Sequence, residues 1–132
     1  MRSRLIGYNL NRRKGINMAR TLYCLKLVGG RFYVGQTPVG RFKRRLYEHR
    51  FLKGALWTSR FPVVDVVWTR TVSENFIQEE EDKACCFIMR LRGINACRGG
   101  LFNIARDVRK LPKWVQPVYR VYEHEIMKAT VK

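Results

Sequence analysis

The sequence predicts a single domain that mixes strands with helices, and three observations predict it. Thr21 to Thr37 alternates apolar and polar residues on either side of Gly29-Gly30, the pattern of two strands joined by a tight turn. Phe61 to Trp68 is the most β-branched run in the chain and reads as a third strand. Residues 40–52 and 74–92 carry apolar residues at helical spacing. A chain of 132 residues fits one domain, and 46 % apolar residues can fill its core.

Charge bounds the function classes. The chain holds 27 Lys+Arg against 10 Asp+Glu, a net charge of +17. Such an excess favours a polyanionic partner through phosphate contacts and counterion release, and nucleic acid leads that class. The bland alternative is a basic protein that only rests on RNA or an anionic surface. No run approaches the ~18 apolar residues of a membrane span, and no apolar secretory region is present, so the expectation is a soluble, intracellular protein with no membrane partner. Cys24, Cys85, Cys86 and Cys97 form no Cys-x-x-Cys, and His49 and His124 are the only histidines, which argues against a structural zinc site. Cys85 and Cys86 read as buried thiols of a reducing compartment, with disulfides as the minor alternative.

Taken in order, residues 1 to about 18 carry five basic residues and no acid. They read as a basic arm (1–19) that touches phosphate backbone, with a transit peptide and a tail of no role as alternatives. In the first strand, about 20–28, Tyr23, Leu25 and Leu27 share one face. The second strand covers about 31–36. The turn between them has a geometric consequence. A two-residue loop puts Tyr23 and Tyr33 on opposite faces, whereas a three-residue loop or a bulge with a left-handed Gly brings them onto one face.

Pro38 and Gly40 end the second strand, and residues 40–52 read as a helix in which Phe42 and Leu46 can face a core. Arg41, Arg45 and His49 are spaced by four and line one stripe. Three cations on a stripe suit a bound anion, or else a solvated basic face. Residues 53–61 read as a loop anchored by Trp57. In the third strand Pro62 stands at the start, where the ladder tolerates it, and Val64, Val66 and Trp68 are expected to share a face. Ser73 is expected to cap the helix over about 74–92, whose acids precede Arg90 and Arg92 as the helix dipole prefers. Ile77, Ala84, Ile88 and Leu91 form its apolar stripe, and Glu81 falls inside it. A carboxylate among core-facing residues costs free energy unless it is paired or bound to a metal. Glu81 is therefore the best metal-ligand candidate, with Glu80 on the stripe's other flank as second choice. Gly93 ends the helix, and the glycine-rich turn Ile94 to Asn103 holds Arg98 and can wrap back to the sheet. The remainder, 106–132, is a basic extension in which Trp114, Tyr119 and Tyr122 alternate with cations. These aromatics can stack on bases or pack on the domain.

These pieces resemble the GIY-YIG nuclease family, and the small viral and phage-like members in particular. Leu22-Tyr23 with Tyr33-Val34-Gly35 is similar to its paired motifs, although Thr21-Leu22-Tyr23 stands where Gly-Ile-Tyr is usual. Arg44-Arg45-Leu46-Tyr47-Glu48-His49 looks like its first helix, and Glu81-Asp82-Lys83 followed by Arg98-Gly99-Gly100 continues the order over about residues 20–103. The resemblance implies an α+β domain (20–105) with a central three-stranded antiparallel sheet flanked by helices. It implies metal-dependent DNA endonuclease activity, hydrolysing phosphodiester bonds with Mg²⁺ (or Mn²⁺). It places Tyr23, Tyr33, Arg45 and Glu81 in the catalytic set, with Arg44 as the alternative to Arg45, and makes Glu81 the metal ligand. The family's terminal asparagine falls at Asn95 or Asn103. Arg41, Arg44, His49, Arg98 and Asn103 are the expected nucleic-acid contacts. A lysine often follows the second motif, and Gln36 stands here instead. That substitution and the altered first motif favour the alternative, a catalytically inactive nucleic-acid-binding protein that keeps the fold. A third reading is a basic structural or ribosome-associated protein.

The chemistry suits those roles. Tyrosine is a poor base at its ordinary pKa of about 10, but beside a cation its phenolate is stabilised enough to take a proton. An arginine meets phosphate oxygens bidentately. If Tyr23 and Tyr33 serve one site, Gly29-Gly30 cannot close a plain two-residue turn.

Overall fold

A computed structural model describes residues 18–130. All but the last two residues of the basic arm expected over 1–19 lie outside the described residues. Strands β1 (Ala19–Leu27) and β2 (Arg31–Pro38) form an antiparallel hairpin in which Leu27 is opposite Arg31. Three residues, Val28-Gly29-Gly30, therefore make the turn. Gly29 and Gly30 have φ of +83° and +72°, values that favour glycine. The odd loop sets Leu25 opposite Tyr33 and Tyr23 opposite Gly35, so both tyrosines face the same way.

Helices α1 (Phe42–Phe51) and α2 (Leu56–Arg60) follow, then β3 (Val63–Ser73), α3 (Ile77–Arg92), β4 (Cys97–Arg98) and α4 (Gln116–Thr130). The sheet order is β3-β1-β2-β4, with β3 antiparallel to β1 and β4 parallel to β2. The domain is thus α+β as expected, but its sheet is four-stranded and mixed rather than three-stranded and antiparallel. The extra strand is a two-residue pair, Phe32–Cys97 and Tyr33–Arg98, led in by a bond from the Phe32 N–H to the Ala96 carbonyl at 2.7 Å. Two residues carry no periodicity, so nothing in the pattern of apolar residues announces them.

The sheet separates two apolar layers. Leu22, Cys24 and Val34 pack against Ile77, Cys85, Cys86 and Met89 of α3, together with Phe102, Ile104, Leu111 and Val115. Tyr119, Tyr122 and Ile126 of α4 close this side, and Tyr119 meets Phe102 edge-on with ring centroids 6.4 Å apart. Of the interleaved aromatics of the basic extension only Trp114 is exposed. On the opposite side Tyr23, Leu25 and Leu27 pack against Phe42 and Leu46 of α1 and Trp57 of α2. Trp57 is the expected anchor: it is buried, and its Nε1 donates to the Phe32 carbonyl at 3.1 Å. No helix among the described residues is long and apolar enough to cross a membrane, and the four cysteines are buried free thiols.

Four local expectations fail, the first being the loop over 53–61, which holds helix α2. Register shifts in β3 skip Val64 and Val67 opposite β1, so Val66 faces the α1 side and Trp68 the α3 side. Two bulges have reversed the alternation that would have put them on one face. Helix α3 begins at Ile77, and the Ser73 hydroxyl accepts the Asn75 N–H in the preceding turn instead of capping it. The buried stripe of α3 runs through Ile77, Glu81, Asp82, Cys85, Cys86 and Met89, leaving Leu91 65 % exposed.

Gly99 closes tightly on β2. A Cβ there would lie 2.0 Å from the Val34 carbonyl oxygen, at φ +145°. Gly99→Ala is expected to destabilise the domain by about 3 kcal/mol, from overpacking and backbone strain together. Gly29→Ala, with positive φ but open space around it, should cost only about 1 kcal/mol. Urea denaturation of both variants checks the order, and an equal loss would remove the close approach as its cause.

Candidate active site

The site is built where β2 has no side chain. A Cβ on Gly35 would lie 2.5 Å from the Tyr23 hydroxyl oxygen and 2.8 Å from Tyr33 Cε2, so both rings lean over this glycine. Tyr23 is 1 % exposed, and its ring centroid is 6.4 Å from that of Tyr33. Helix α1 places His49 against both, at 5.7 Å from Tyr23 and 5.0 Å from Tyr33.

The hydrogen bonds around His49 decide its tautomer. The Tyr23 hydroxyl is 2.7 Å from Nε2, and Nδ1 is 2.8 Å from the Thr58 Oγ1. Thr58 donates its one hydroxyl hydrogen to the Ala55 carbonyl at 3.1 Å and accepts the Ala55 N–H. With the Thr58 hydrogen on that carbonyl, Nδ1 carries the imidazole hydrogen and Nε2 offers a lone pair to the Tyr23 O–H. Burial, then the neighbouring Arg45 charge, hold the imidazole pKa at about 4. His49 is a neutral acceptor at pH 7.

The Arg45 guanidinium lies close enough to both tyrosine hydroxyls to lower their pKa values. It also donates to Glu48 at 2.8 Å and to the Gly54 carbonyl at 3.2 Å. Burial raises both tyrosine pKa values. Arg45 opposes the rise, and the Glu81 charge adds to it. Beside this cluster, Thr37, Pro38, Arg41, Arg44, Arg45 and Glu48 line a pocket of about 130 Å³. Arg41 and Arg44 are exposed at its rim.

Glu81 approaches from the other layer. It lies on α3, 6 % exposed, and its Oε1 accepts the Gln36 Nε2–H at 2.8 Å. The Gly100 N–H nearby favours its charged form. Its influence on Tyr23 and Tyr33 is through space. Asp82, beside it, accepts the Leu101 N–H at 2.9 Å and Gln78 Nε2–H at 3.1 Å, tying α3 to the turn after β4. Burial raises both carboxyl pKa values. Among the described residues no ion pair reaches Glu81, and no group of three or more His, Cys, Asp or Glu converges. A lone buried carboxylate with neutral donors fits a hard cation that keeps its waters and takes phosphate oxygens as further ligands. It does not fit a closed protein cage.

The structure thus gathers Tyr23, Tyr33, Arg45 and His49, with Glu81 at the far side of β2. Two expected nucleic-acid contacts are corrected. His49 is 3 % exposed and both its ring nitrogens are hydrogen-bonded, to Tyr23 and Thr58, so neither is free for a phosphate. Arg98 is fully buried. Its guanidinium donates to the carbonyls of Ile94, Cys97, Ile104 and Arg106 and to Asn95 Oδ1, and stacks 4.5 Å over the Trp57 ring. Asn95 is committed to the same loop through Val108, whereas Asn103 is exposed. Sequence reasoning missed Thr58 and the Tyr23–His49 pair. Their partners lie 9 and 26 residues apart, and no short motif spans such distances. In comparisons with known proteins, no family model, no curated protein and no solved structure matches this chain.

The neutral His49 has a stability consequence. Its folded pKa of about 4 lies below the ordinary ~6.5, so on acidification the unfolded chain takes the proton first. Stability is full above pH ~6.5 and falls as pH drops toward 4, by about 3 kcal/mol for this residue. His49→Gln lacks this proton. The wild type should lose about that much more than the variant between pH 7 and 4 in urea titrations, and parallel losses would contradict a neutral buried imidazole.

Proposed function

We propose that this chain is a metal-dependent DNA endonuclease of the GIY-YIG type, hydrolysing phosphodiester bonds. The observation that carries the reading is the buried Tyr23–His49 hydrogen bond with the Tyr33 ring packed against both, where the nearby Arg45 charge lowers both tyrosine pKa values. A buried tyrosine alone is a poor base. With His49 as acceptor, the Tyr23 oxygen can take a proton from an attacking water while its own hydrogen passes to Nε2, and the Nδ1–H bond to Thr58 keeps the resulting imidazolium in place. Tyr33 positions the water or the phosphate. Arg45 offsets charge developing on the phosphate oxygens. Glu81 would hold Mg²⁺ or Mn²⁺, which supplies charge neutralisation at the phosphate when bound. Arg41 and Arg44 at the adjoining pocket suit neighbouring phosphates, and DNA is the partner that the +17 charge favours.

A second reading is a nucleic-acid-binding protein of the same fold without activity. The Gln36 bond to Glu81 favours it, because it occupies one acceptor position of the carboxylate.

Plasmid cleavage separates the two. The wild type should nick supercoiled DNA with Mg²⁺ or Mn²⁺. Tyr23→Phe and Glu81→Gln should each slow nicking by at least ~100-fold while still binding DNA in EDTA. A wild type that binds plasmid but nicks with neither metal is the inactive protein of the second reading. In the same EDTA condition, replacing both Arg41 and Arg44 by Ala should reduce the slope of log affinity against log salt by ~2. An unchanged slope would remove them from the interface.

A further inference from the structure

We infer that Arg20 and Gln36 are positioning residues that orient the Glu81 carboxylate; the inference rests on the metal role proposed above for Glu81. The observation is a directional chain of side chains across three elements. Arg20 of β1 donates from Nε to the Gln36 Oε1 at 2.7 Å, and Gln36 of β2 donates from Nε2 to the Glu81 Oε1 of α3 at 2.8 Å. All three are partly or largely withdrawn from solvent.

An amide has an oxygen end and a nitrogen end, and either could face a neighbour. Here the guanidinium decides. Arg20 has donors only, so it selects the oxygen end of Gln36 and turns the NH₂ toward the carboxylate. If the amide flipped, an amide oxygen would oppose a carboxylate oxygen, and a guanidinium would oppose an NH₂ group. Both contacts are repulsive, so the arginine acts on Glu81 through glutamine. The Gly100 N–H, in the turn after β4, also favours the charged carboxylate. With Gln36 fixing its orientation, the carboxylate keeps acceptor positions free for a cation. It cannot rotate away to satisfy itself elsewhere. Ligating carboxylates held in this way bind metal more tightly than free-swinging ones, and loss of such a partner costs 10–100-fold in affinity.

Gln36 is otherwise unexplained. It lies on the α3 side of β2, and an apolar residue would pack there against the buried Leu22 and Val34 layer at no desolvation cost. A polar amide at this place needs both of its ends satisfied, and the chain does satisfy both.

The test measures Mn²⁺ affinity of the full chain by electron paramagnetic resonance, without DNA. The variants are Glu81→Gln, Gln36→Leu, Arg20→Met and the Arg20→Met/Gln36→Leu pair, each checked for an unchanged melting temperature in EDTA. Gln36→Leu should weaken Mn²⁺ binding ~10-fold or more, and Arg20→Met less. The double variant should be no worse than Gln36→Leu, because Arg20 acts only through the amide. A residue serving the fold alone would not give that non-additivity. If Glu81→Gln abolishes binding while Gln36→Leu stays within twofold of wild type, the positioning role is wrong and the metal role stands. If the two single losses simply add, Arg20 does not act through Gln36. If Glu81→Gln itself leaves binding unchanged, the metal role falls and this inference falls with it.

Discussion

One extra residue in the first turn governs the whole α1 side of the molecule. Because Val28-Gly29-Gly30 closes the hairpin, Tyr33 stands across from Leu25, on the face that carries Tyr23. With one residue fewer, all of β2 would turn over. Tyr33 would enter the Cys24–Val34 layer beneath α3, and Gln36 would leave Glu81 for the α1 side. The apolar pattern of β1 alone cannot choose between these outcomes, since both of its faces are buried. What chooses is the turn, with two consecutive glycines at positive φ that accept a conformation other residues resist.

Two buried polar networks then fix parts of the structure that apolar packing leaves free. The Tyr23–His49–Thr58–Ala55 chain couples β1 to the C-terminal turn of α1 and to the start of α2. Arg98 does the same for the loop from Ile94 to Arg106. A buried guanidinium without partners would be untenable, but here four carbonyls and an amide oxygen meet its donors, and Trp57 covers its face. This arginine shapes the loop from within, which is why an exposed role for it does not survive. Its charge is matched by local dipoles rather than by a carboxylate. The carboxylate that does approach this region, Asp107, is instead bound by Arg31 in two contacts of 2.6 and 3.1 Å.

What the sequence revealed follows the range over which each signal acts. The hairpin, the helix over 40–52, the β-branched strand and the helix after Ser73 are local patterns, and all four are present. The odd turn followed from a functional demand on two tyrosines, not from propensity. Glu81 stood out because a charge interrupted an apolar stripe, and it is indeed buried, although the stripe lies one residue round from the expected one and takes in Asp82 as well. Long-range pairings were hidden. The two-residue β4 is too short for periodicity, the bulges in β3 depend on its partner strand, and the burial of His49 depends on Gly54 and Thr58. Gly54 leaves room for the ring only because it has no side chain: a Cβ there would lie 2.3 Å from Nδ1. Read as a stripe with Arg41 and Arg45, His49 looked cationic and exposed; the fold makes it neutral and enclosed.

The sheet divides the candidate site into a proton-handling side and a carboxylate side, and that division has a physical use. Tyr23 and His49 lie in a dry layer that keeps the imidazole neutral, whereas Glu81, also buried, accepts a hydrogen bond from Gln36 on the other side. Placing both in one pocket would set the Glu81 charge directly against the two tyrosine hydroxyls. Separating them by a strand weakens that repulsion; burial is the main reason both tyrosine pKa values are raised, and the Glu81 charge adds to it. Arg45 offsets the remainder from the tyrosine side, as Gln36 and the Gly100 N–H do from the carboxylate side. The two halves meet at Gly35 and Gly100. A side chain at the first would collide with the Tyr23 hydroxyl, and at the second with the Asp82 carboxylate, 2.1 Å away. The arrangement therefore tolerates changes around its rim better than a methyl group at either glycine.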